Sequence, residues 1–196
     1  MDKVGSFINI KQHDFYFNGC SSCDGDCCNG AKGFALSPLI LEDFEEVYKN
    51  FAIVFSIHNN KINAFVVLND GKSHCRYYID NKCSIYEQRT PACKLYPISP
   101  YFEHILIDTE CPSINNEFGS IISKGGKLND DFFTQRLENF NEKVTKSFEF
   151  YNALDEKDSF EFIGSILDMP ILKYIKPSQN RYIQMHLKSL EHLNIV

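Results

Sequence analysis

A stretch near the amino terminus, "CSSCDGDCCNG" (residues 20–30), most constrains what this chain can fold into. It holds four cysteines in nine positions, and the last two, Cys27 and Cys28, are neighbours. These thiols lie among Ser, Asp, Asn and Gly, whereas a cysteine of the apolar core belongs within an apolar run. Four thiolates around one ion make a closed zinc site, and four thiolates also hold an iron–sulfur cluster. The segment therefore predicts a metal site to which Cys20, Cys23, Cys27 and Cys28 contribute.

Four further cysteines follow at wider spacing: Cys75, Cys83, Cys93 and Cys111. In a reducing cytosol, eight cysteines in a chain of 196 residues indicate metal ligands or redox groups before a disulfide framework. Their gaps do not match common zinc fingers, and Cys111-Pro112 is similar to the Cys-Pro that closes bacterial ferredoxin motifs. The pattern favours an iron–sulfur cluster over zinc and leaves open whether there is one site or two.

The adjacent pair Cys27 and Cys28 has its own explanation. Consecutive side chains usually point in divergent directions, so two neighbouring thiols do not easily reach one small ion. We therefore expect them to serve two different metals, or two different atoms of one cluster. The Cys20-x-x-Cys23 pair is able to bind a single metal in the usual way.

Composition and termini exclude several function classes. The formal net charge is -6 and there is no block of lysine or arginine, which argues against a nucleic-acid or anionic-membrane surface. The first residues lack the apolar region of a secretory signal, and no later stretch has the uncharged apolar length of a membrane span. We therefore expect a cytoplasmic protein.

The hydrophobic pattern predicts an α+β fold that is mainly helical. A cysteine-cluster lobe over residues 1–127 is expected to be loop-rich, with a helix at 38–50 and a small hairpin made by "AIVFSIH" and "INAFVVL". A helical lobe over residues 128–196, packed on the first lobe, completes the prediction. The helices expected in this second lobe cover residues 130–152, 159–168 and 178–193.

The cysteine order resembles a known family. The chain reads C-x2-C-x3-C-C, then Cys75, then "CSIYEQRTPACKLYP" from residue 83, then "ECPS" around Cys111. This resembles the zinc- or iron-chelating cysteine-cluster family often labelled YkgJ, which includes the cysteine-rich part of flagellin lysine-N-methylases. The family segment typically reads C-x-I-Y-E-x-R-P-x-x-C-R-x-F-P, and the residues here that match it are Cys83, Ile85, Tyr86, Glu87, Arg89, Cys93 and Pro97. The resemblance covers about residues 20–113 and implies that all eight cysteines are metal ligands.

The chain departs from the family segment at four places. Proline falls at Pro91 and not directly after Arg89, and Lys94 stands where arginine is usual. Tyr96 stands for the usual phenylalanine, and Ser113 replaces a frequent glycine after Cys-Pro. Glu87 and Arg89 lie between two predicted ligands, so we expect them to order the ligand loops and not to act in catalysis.

Two functions are compatible with these observations. The first is a metal-binding protein without catalysis of its own, in which the helical lobe contacts a partner protein or another copy. The second, implied by the flagellin-methylase resemblance, is an enzyme or enzyme component related to S-adenosylmethionine-dependent protein lysine methylation. The chain has no glycine-rich phosphate or dinucleotide signature, which favours the first function. The sequence assigns no catalytic residue.

Overall fold

A computed structural model describes most of the chain, namely residues 2–4, 6–20, 23–32, 35–58, 61–101, 103–115, 118–154 and 158–193. The chain forms two compact units, each made of two segments. The first unit comprises Met1–Cys27 and Ala92–Asn141, and the second comprises Cys28–Pro91 and Glu142–Val196. The sequence-based division into lobes 1–127 and 128–196 stays a prediction.

The prediction of a mainly helical fold is wrong. The protein is β-rich, with 33% of the described residues in strands and 26% in helices. The described strands are β1 (Lys3–Val4), β2 (Phe7–Asn9), β3 (Phe15–Phe17), β4 (Leu36–Pro38), β5 (Ile53–His58), β6 (Lys61–Val67), β7 (Tyr78–Ile79), β8 (Lys82–Cys83), β9 (Ile98–Tyr101), β10 (His104–Asp108), β11 (Ser120–Lys124), β12 (Lys127–Leu128), β13 (Phe160–Ile166) and β14 (Met169–Tyr174). The described α-helices are α1 (Phe44–Val47), α2 (Pro91–Leu95), α3 (Phe140–Asn152) and α4 (Arg181–Ser189).

Two antiparallel sheets build the first unit. One has the strand order β1-β2-β10-β9, and the other has the order β12-β11-β3. Their apolar side chains form one core, which consists of Ile10, Phe15, Ile98, Ile107, Cys111, Ile114 and Ile122. Removing this apolar surface from water stabilises the sheets, whose strands are too short to be stable as isolated pairs. One of the predicted ligands, Cys111, is therefore a member of the core.

A five-stranded antiparallel sheet with the order β13-β14-β5-β6-β4 is the centre of the second unit. The predicted hairpin is confirmed as β5 and β6, which pair in register from Ile53 opposite Val66 to His58 opposite Lys61. On β6, buried residues alternate with half-buried ones, as expected for a strand in a sheet. The helices bury side chains in this unit as well, since Tyr151 of α3 donates a hydrogen bond to the Leu39 carbonyl at 3.0 Å.

Of the predicted helices, the one at 159–168 is wrong and the one at 38–50 is shortened. Most of the helix predicted at 159–168 is instead the edge strand β13, because the apolar spacing that is compatible with a helix also suits a strand that pairs with β14. The helix predicted at 38–50 contracts to a 3₁₀ turn at Leu41–Asp43 followed by α1. Its predicted start, Ser37-Pro38, instead pairs with β6 as an edge strand, where proline is tolerated.

The remaining predictions for the helical lobe are partly confirmed. The region predicted at 130–152 starts as a 3₁₀ turn, Asp130–Phe132, whose N-cap Asn129 accepts the Asp131 N–H at 3.1 Å, but α3 begins only at Phe140. The helix predicted at 178–193 is confirmed as α4 and a following 3₁₀ turn. None of the described helices is both long and apolar enough to cross a membrane.

Candidate metal centre

The eight predicted ligands divide between the two units. Five of them, Cys20, Cys23, Cys27, Cys93 and Cys111, belong to the first unit, and three, Cys28, Cys75 and Cys83, belong to the second. No disulfide bond joins any of these eight cysteines, all of which lie in the described ranges. None of the eight sulfurs is therefore held in a disulfide.

Cys111 is the most buried thiol of the first unit, with 6% of its surface exposed. The turn that carries it follows β10, and Asp108 holds this turn by accepting the Glu110 N–H at 3.1 Å. Burial raises the pKa of the Cys111 thiol to about 11, and hydrogen bonds from the Ser113 backbone and the Tyr96 hydroxyl oppose that rise. Cys23 and Cys20 raise the same pKa further, so both lie within electrostatic range of Cys111.

A short network joins the Cys20 loop to the Cys111 turn. The Ser113 hydroxyl donates to the carbonyl of Gly19 at 2.7 Å, and the Asn18 N–H donates to the Ser113 carbonyl at 3.0 Å. Gly19 adopts a φ of 80°, a left-handed conformation in which glycine is favoured. Ser113 replaces the usual glycine of the family segment, and its hydroxyl fixes the residue directly before Cys20.

Cys27, like Cys111, lies within electrostatic range of Tyr96. Burial raises the pKa of the Tyr96 hydroxyl well above its usual value, and Asp108, Cys111 and Cys27 raise it further. Tyr96 also packs against the core that contains Cys111. We refer to Cys20, Cys23, Cys27 and Cys111 as the four-thiol set. Cys93, the fifth thiol of this unit, is half-buried on α2.

The second unit arranges its thiols through backbone pairing. Asn29 and His74 form an antiparallel bridge, flanked by a hydrogen bond from the Cys75 N–H to the Cys28 carbonyl at 2.7 Å. This hydrogen bond joins the backbone of Cys28 directly to that of Cys75. Cys83 lies on the neighbouring hairpin, where it is paired with Tyr78.

The division of the chain falls between the adjacent cysteines. Cys27 is the last residue of the first unit's opening segment, and Cys28 is the first residue of the second unit. The expectation that the two thiols serve different metal atoms stays a prediction.

We expect the replacement Gly30→Ala to disrupt the pairing of Cys28 with Cys75. A Cβ atom at position 30 would stand 2.5 Å from the Ser73 carbonyl oxygen and 2.7 Å from the Lys72 nitrogen, both of which are backbone atoms. Overpacking of this kind costs about 1–3 kcal/mol. Hydrogen exchange is expected to show the Cys75 amide losing protection. The control Gly125→Asn introduces a side chain where no atom lies within 4 Å, in a left-handed conformation that Asn tolerates, and should leave this protection unchanged.

The ligand roles themselves stay a prediction. Across the described ranges, no group of three or more His, Cys, Asp or Glu side chains stands ready to hold a metal ion. Glu87 is exposed, and Arg89 orders its own turn, because its Nε donates to the Tyr86 carbonyl at 2.8 Å and its guanidinium lies 3.5 Å from the Tyr86 ring centroid. These contacts support the Tyr86 turn itself, and the expectation that Glu87 and Arg89 order the ligand loops stays a prediction.

Two residues of the site were not predicted from the sequence, Tyr96 and Asp108. The Tyr96 hydroxyl donates to Asp108 Oδ2 at 3.1 Å, and Asp108 has only 5% of its surface exposed. The available signal was the tyrosine in place of the family's phenylalanine. Asp108 gave no signal, because a single aspartate at the end of an apolar run has no pattern of its own.

The eight cysteines, none of which is in a disulfide, define the class: a cysteine-rich protein. Residues 19–119, just over half of the chain, match the CxxCxxCC family, described as "Putative zinc- or iron-chelating domain". The chain belongs to this family, as the resemblance predicted. Its first cysteine block has three residues between Cys23 and Cys27, one more than the family name has at that place. No curated protein and no solved structure matches the chain, and the link to flagellin lysine-N-methylases is not shown.

Proposed function

We propose that this protein holds an iron–sulfur cluster on the four-thiol set of its first unit. The observation that carries the proposal is the position of Cys111. Cys20 and Cys23 raise the pKa of the Cys111 thiol, and Cys111 and Cys27 both raise the pKa of the Tyr96 hydroxyl. Family membership supports zinc or iron as the chelated metal. The choice of iron rests on Cys111-Pro112 and on cysteine gaps that differ from those of common zinc fingers.

The donor set fits such a cluster chemically. Iron–sulfur clusters are usually held by four cysteine thiolates, and the four-thiol set supplies four. A buried thiol resists ionisation, as the raised pKa of Cys111 indicates, but a bound metal cation removes the thiol proton outright. When bound, such a cluster supplies one-electron redox chemistry. The residues of the chain hold the sulfur ligands and, through the apolar core beside Cys111, exclude water from one side of the site.

The first test is the metal content of protein purified without oxygen. We expect brown protein that absorbs in the visible charge-transfer region of iron–sulfur clusters and contains iron and acid-labile sulfide in equal amounts. Iron and sulfide assays with an absorption spectrum measure this directly. Colourless protein with stoichiometric zinc would overturn the cluster and retain chelation. Protein that binds neither metal, after reconstitution with iron and sulfide or with zinc, would overturn chelation as well.

A further inference from the structure

Two asparagines of the chain, Asn18 and Asn29, are each followed by a glycine. Asparagine deamidates spontaneously most readily before glycine, because glycine has no side chain to hinder the approach of its main-chain nitrogen to the preceding amide. Since the two Asn-Gly pairs have the same local sequence chemistry, a difference between their surroundings decides which of them reacts in the folded protein.

The reaction needs only water as a co-reactant. The glycine nitrogen loses its proton to water and forms a bond to Cγ of the asparagine, while the bond from Cγ to NH₂ breaks and that group takes up a proton and leaves as ammonia. The resulting five-membered succinimide adds water at one of its two carbonyls, which yields aspartate or isoaspartate. No electron is transferred. The glycine N–H must therefore be free of other partners, and the backbone around it must be able to rotate.

The surroundings of Asn18 leave the reacting groups free. The Asn18 side chain is exposed, and the Gly19 N–H has no hydrogen-bond partner among the residues that the structure describes. A Cβ atom at Gly19 would have no atom within 4 Å, so the space beside this glycine is open. The hydrogen bonds that hold the segment use the Asn18 N–H and the Gly19 carbonyl, both bonded to Ser113, and neither of these groups takes part in ring closure.

The surroundings of Asn29 block the same reaction. The Gly30 N–H donates to the Ser73 carbonyl at 2.9 Å, and Asn29 Oδ1 accepts the Ala31 N–H at 2.9 Å. Gly30 is buried, and a Cβ atom there would stand 2.5 Å from the Ser73 carbonyl oxygen, so its backbone is closely packed. Attack on the Asn29 side chain therefore requires that this part of the fold opens first.

We propose that Asn18 is a site of spontaneous modification in the folded protein, where its side chain deamidates through a succinimide with Gly19, and that the fold protects Asn29. Isoaspartate places its Cβ atom in the main chain, which adds one atom between the N–H of residue 18 and the Gly19 carbonyl. Ser113 bonds both of these groups, so we expect the isoaspartate form to lose at least one of the two bonds. The modification thereby loosens the residue directly before Cys20, whether or not Cys20 binds metal.

The test is to incubate the full-length protein at mildly alkaline pH and to follow both Asn-Gly peptides in the same digest by mass spectrometry that separates aspartate from isoaspartate. We expect Asn18 to react at least about tenfold faster than Asn29, the factor that corresponds to opening one hydrogen bond of ordinary strength. In denaturant the two rates should become equal. Equal rates in the folded protein, no reaction at Asn18, or the same ratio of rates in folded and denatured protein would each overturn the proposal.

Two variants test the site and its consequence. Asn18→Gln should stop the reaction at this peptide, because glutamine would have to close a larger ring, and should leave the rate at Asn29 unchanged. Asn18→Asp carries the new charge without the added main-chain atom. Hydrogen exchange should show the amide of residue 18 losing protection in the isoaspartate form and keeping it in fresh Asn18→Asp protein. Retained protection in the isoaspartate form would overturn the structural consequence, and equal loss in Asn18→Asp would attribute it to charge instead.

Discussion

Replacing Cys111 with serine is expected to remove nearly all the iron of the proposed cluster. Serine is close in size to cysteine, so the core around position 111 keeps its packing, but its hydroxyl is a poor substitute for a soft thiolate ligand. With one of four ligands lost, the four-thiol set no longer completes a cluster. Cys27→Ser should have the same effect, since Cys27 belongs to the same set. Iron and sulfide assays after anaerobic purification measure the loss.

Cys28→Ser is the matched control for this prediction. It changes the neighbouring residue in the sequence, but Cys28 belongs to the second unit and pairs with Cys75. We expect the Cys28→Ser protein to keep the cluster and its spectrum. If Cys28→Ser loses as much iron as Cys111→Ser, the result contradicts the proposed site. Cys28 would then be a ligand of a multinuclear site together with the four-thiol set. Far-UV circular dichroism of all three variants shows whether each one folds.

The second large effect concerns His186, whose ring is fully buried on α4. Its Nε2 accepts the Tyr174 N–H at 3.0 Å, so the neutral ring carries its proton on Nδ1 and donates it to the Ile53 carbonyl at 2.7 Å. Burial lowers the pKa of His186 to about 4; the hydrogen bond to Ile53 opposes this, and nearby Lys173 adds to it. Because an unfolded histidine titrates near 6.5, acid favours the unfolded chain.

The free energy of unfolding is expected to fall as the pH drops from 6.5 to 4. In this range the unfolded chain binds a proton that the folded chain excludes, and a shift of this size corresponds to about 3 kcal/mol over the whole range. Above pH 6.5 both states are neutral at this residue, so it adds no pH dependence there. Denaturant unfolding of the wild type at several pH values measures the slope.

His186→Gln provides the comparison, because glutamine does not titrate. We expect a lower stability at pH 7, since each buried group left without its hydrogen bond costs about 1–3 kcal/mol. The dependence on pH between 6.5 and 4 should be shallower than in the wild type. His13→Gln, at an exposed histidine, is the control and should retain the wild-type slope. An equally steep slope in His186→Gln would show that other groups account for the acid sensitivity.

The sequence determined the features that depend on neighbours along the chain. The family followed from the order of the eight cysteines, and the β5–β6 hairpin followed from two apolar runs separated by three polar residues. Helix α4 followed from its apolar stripe, and its N-cap Asn180 accepts the Tyr182 N–H at 2.9 Å. In each of these cases the residues that decide the structure lie within a few positions of one another, so the pattern is visible in the sequence.

Only the tertiary structure decided the features that depend on distant partners. Strand β13 has spacing compatible with a helix, and the pairing of β14 with both β13 and β5 makes it part of a sheet. Strands β9, β10 and β11 lie in the lobe predicted to be loop-rich, because short apolar runs such as β10 gain stability only from partner strands, here β2 and β9. Distant partners also decide the surroundings of the two adjacent thiols, Cys27 and Cys28. Cys28 pairs with Cys75, 47 positions further on, while Cys27 lies near Tyr96, and neither distance is encoded in the residues next to them.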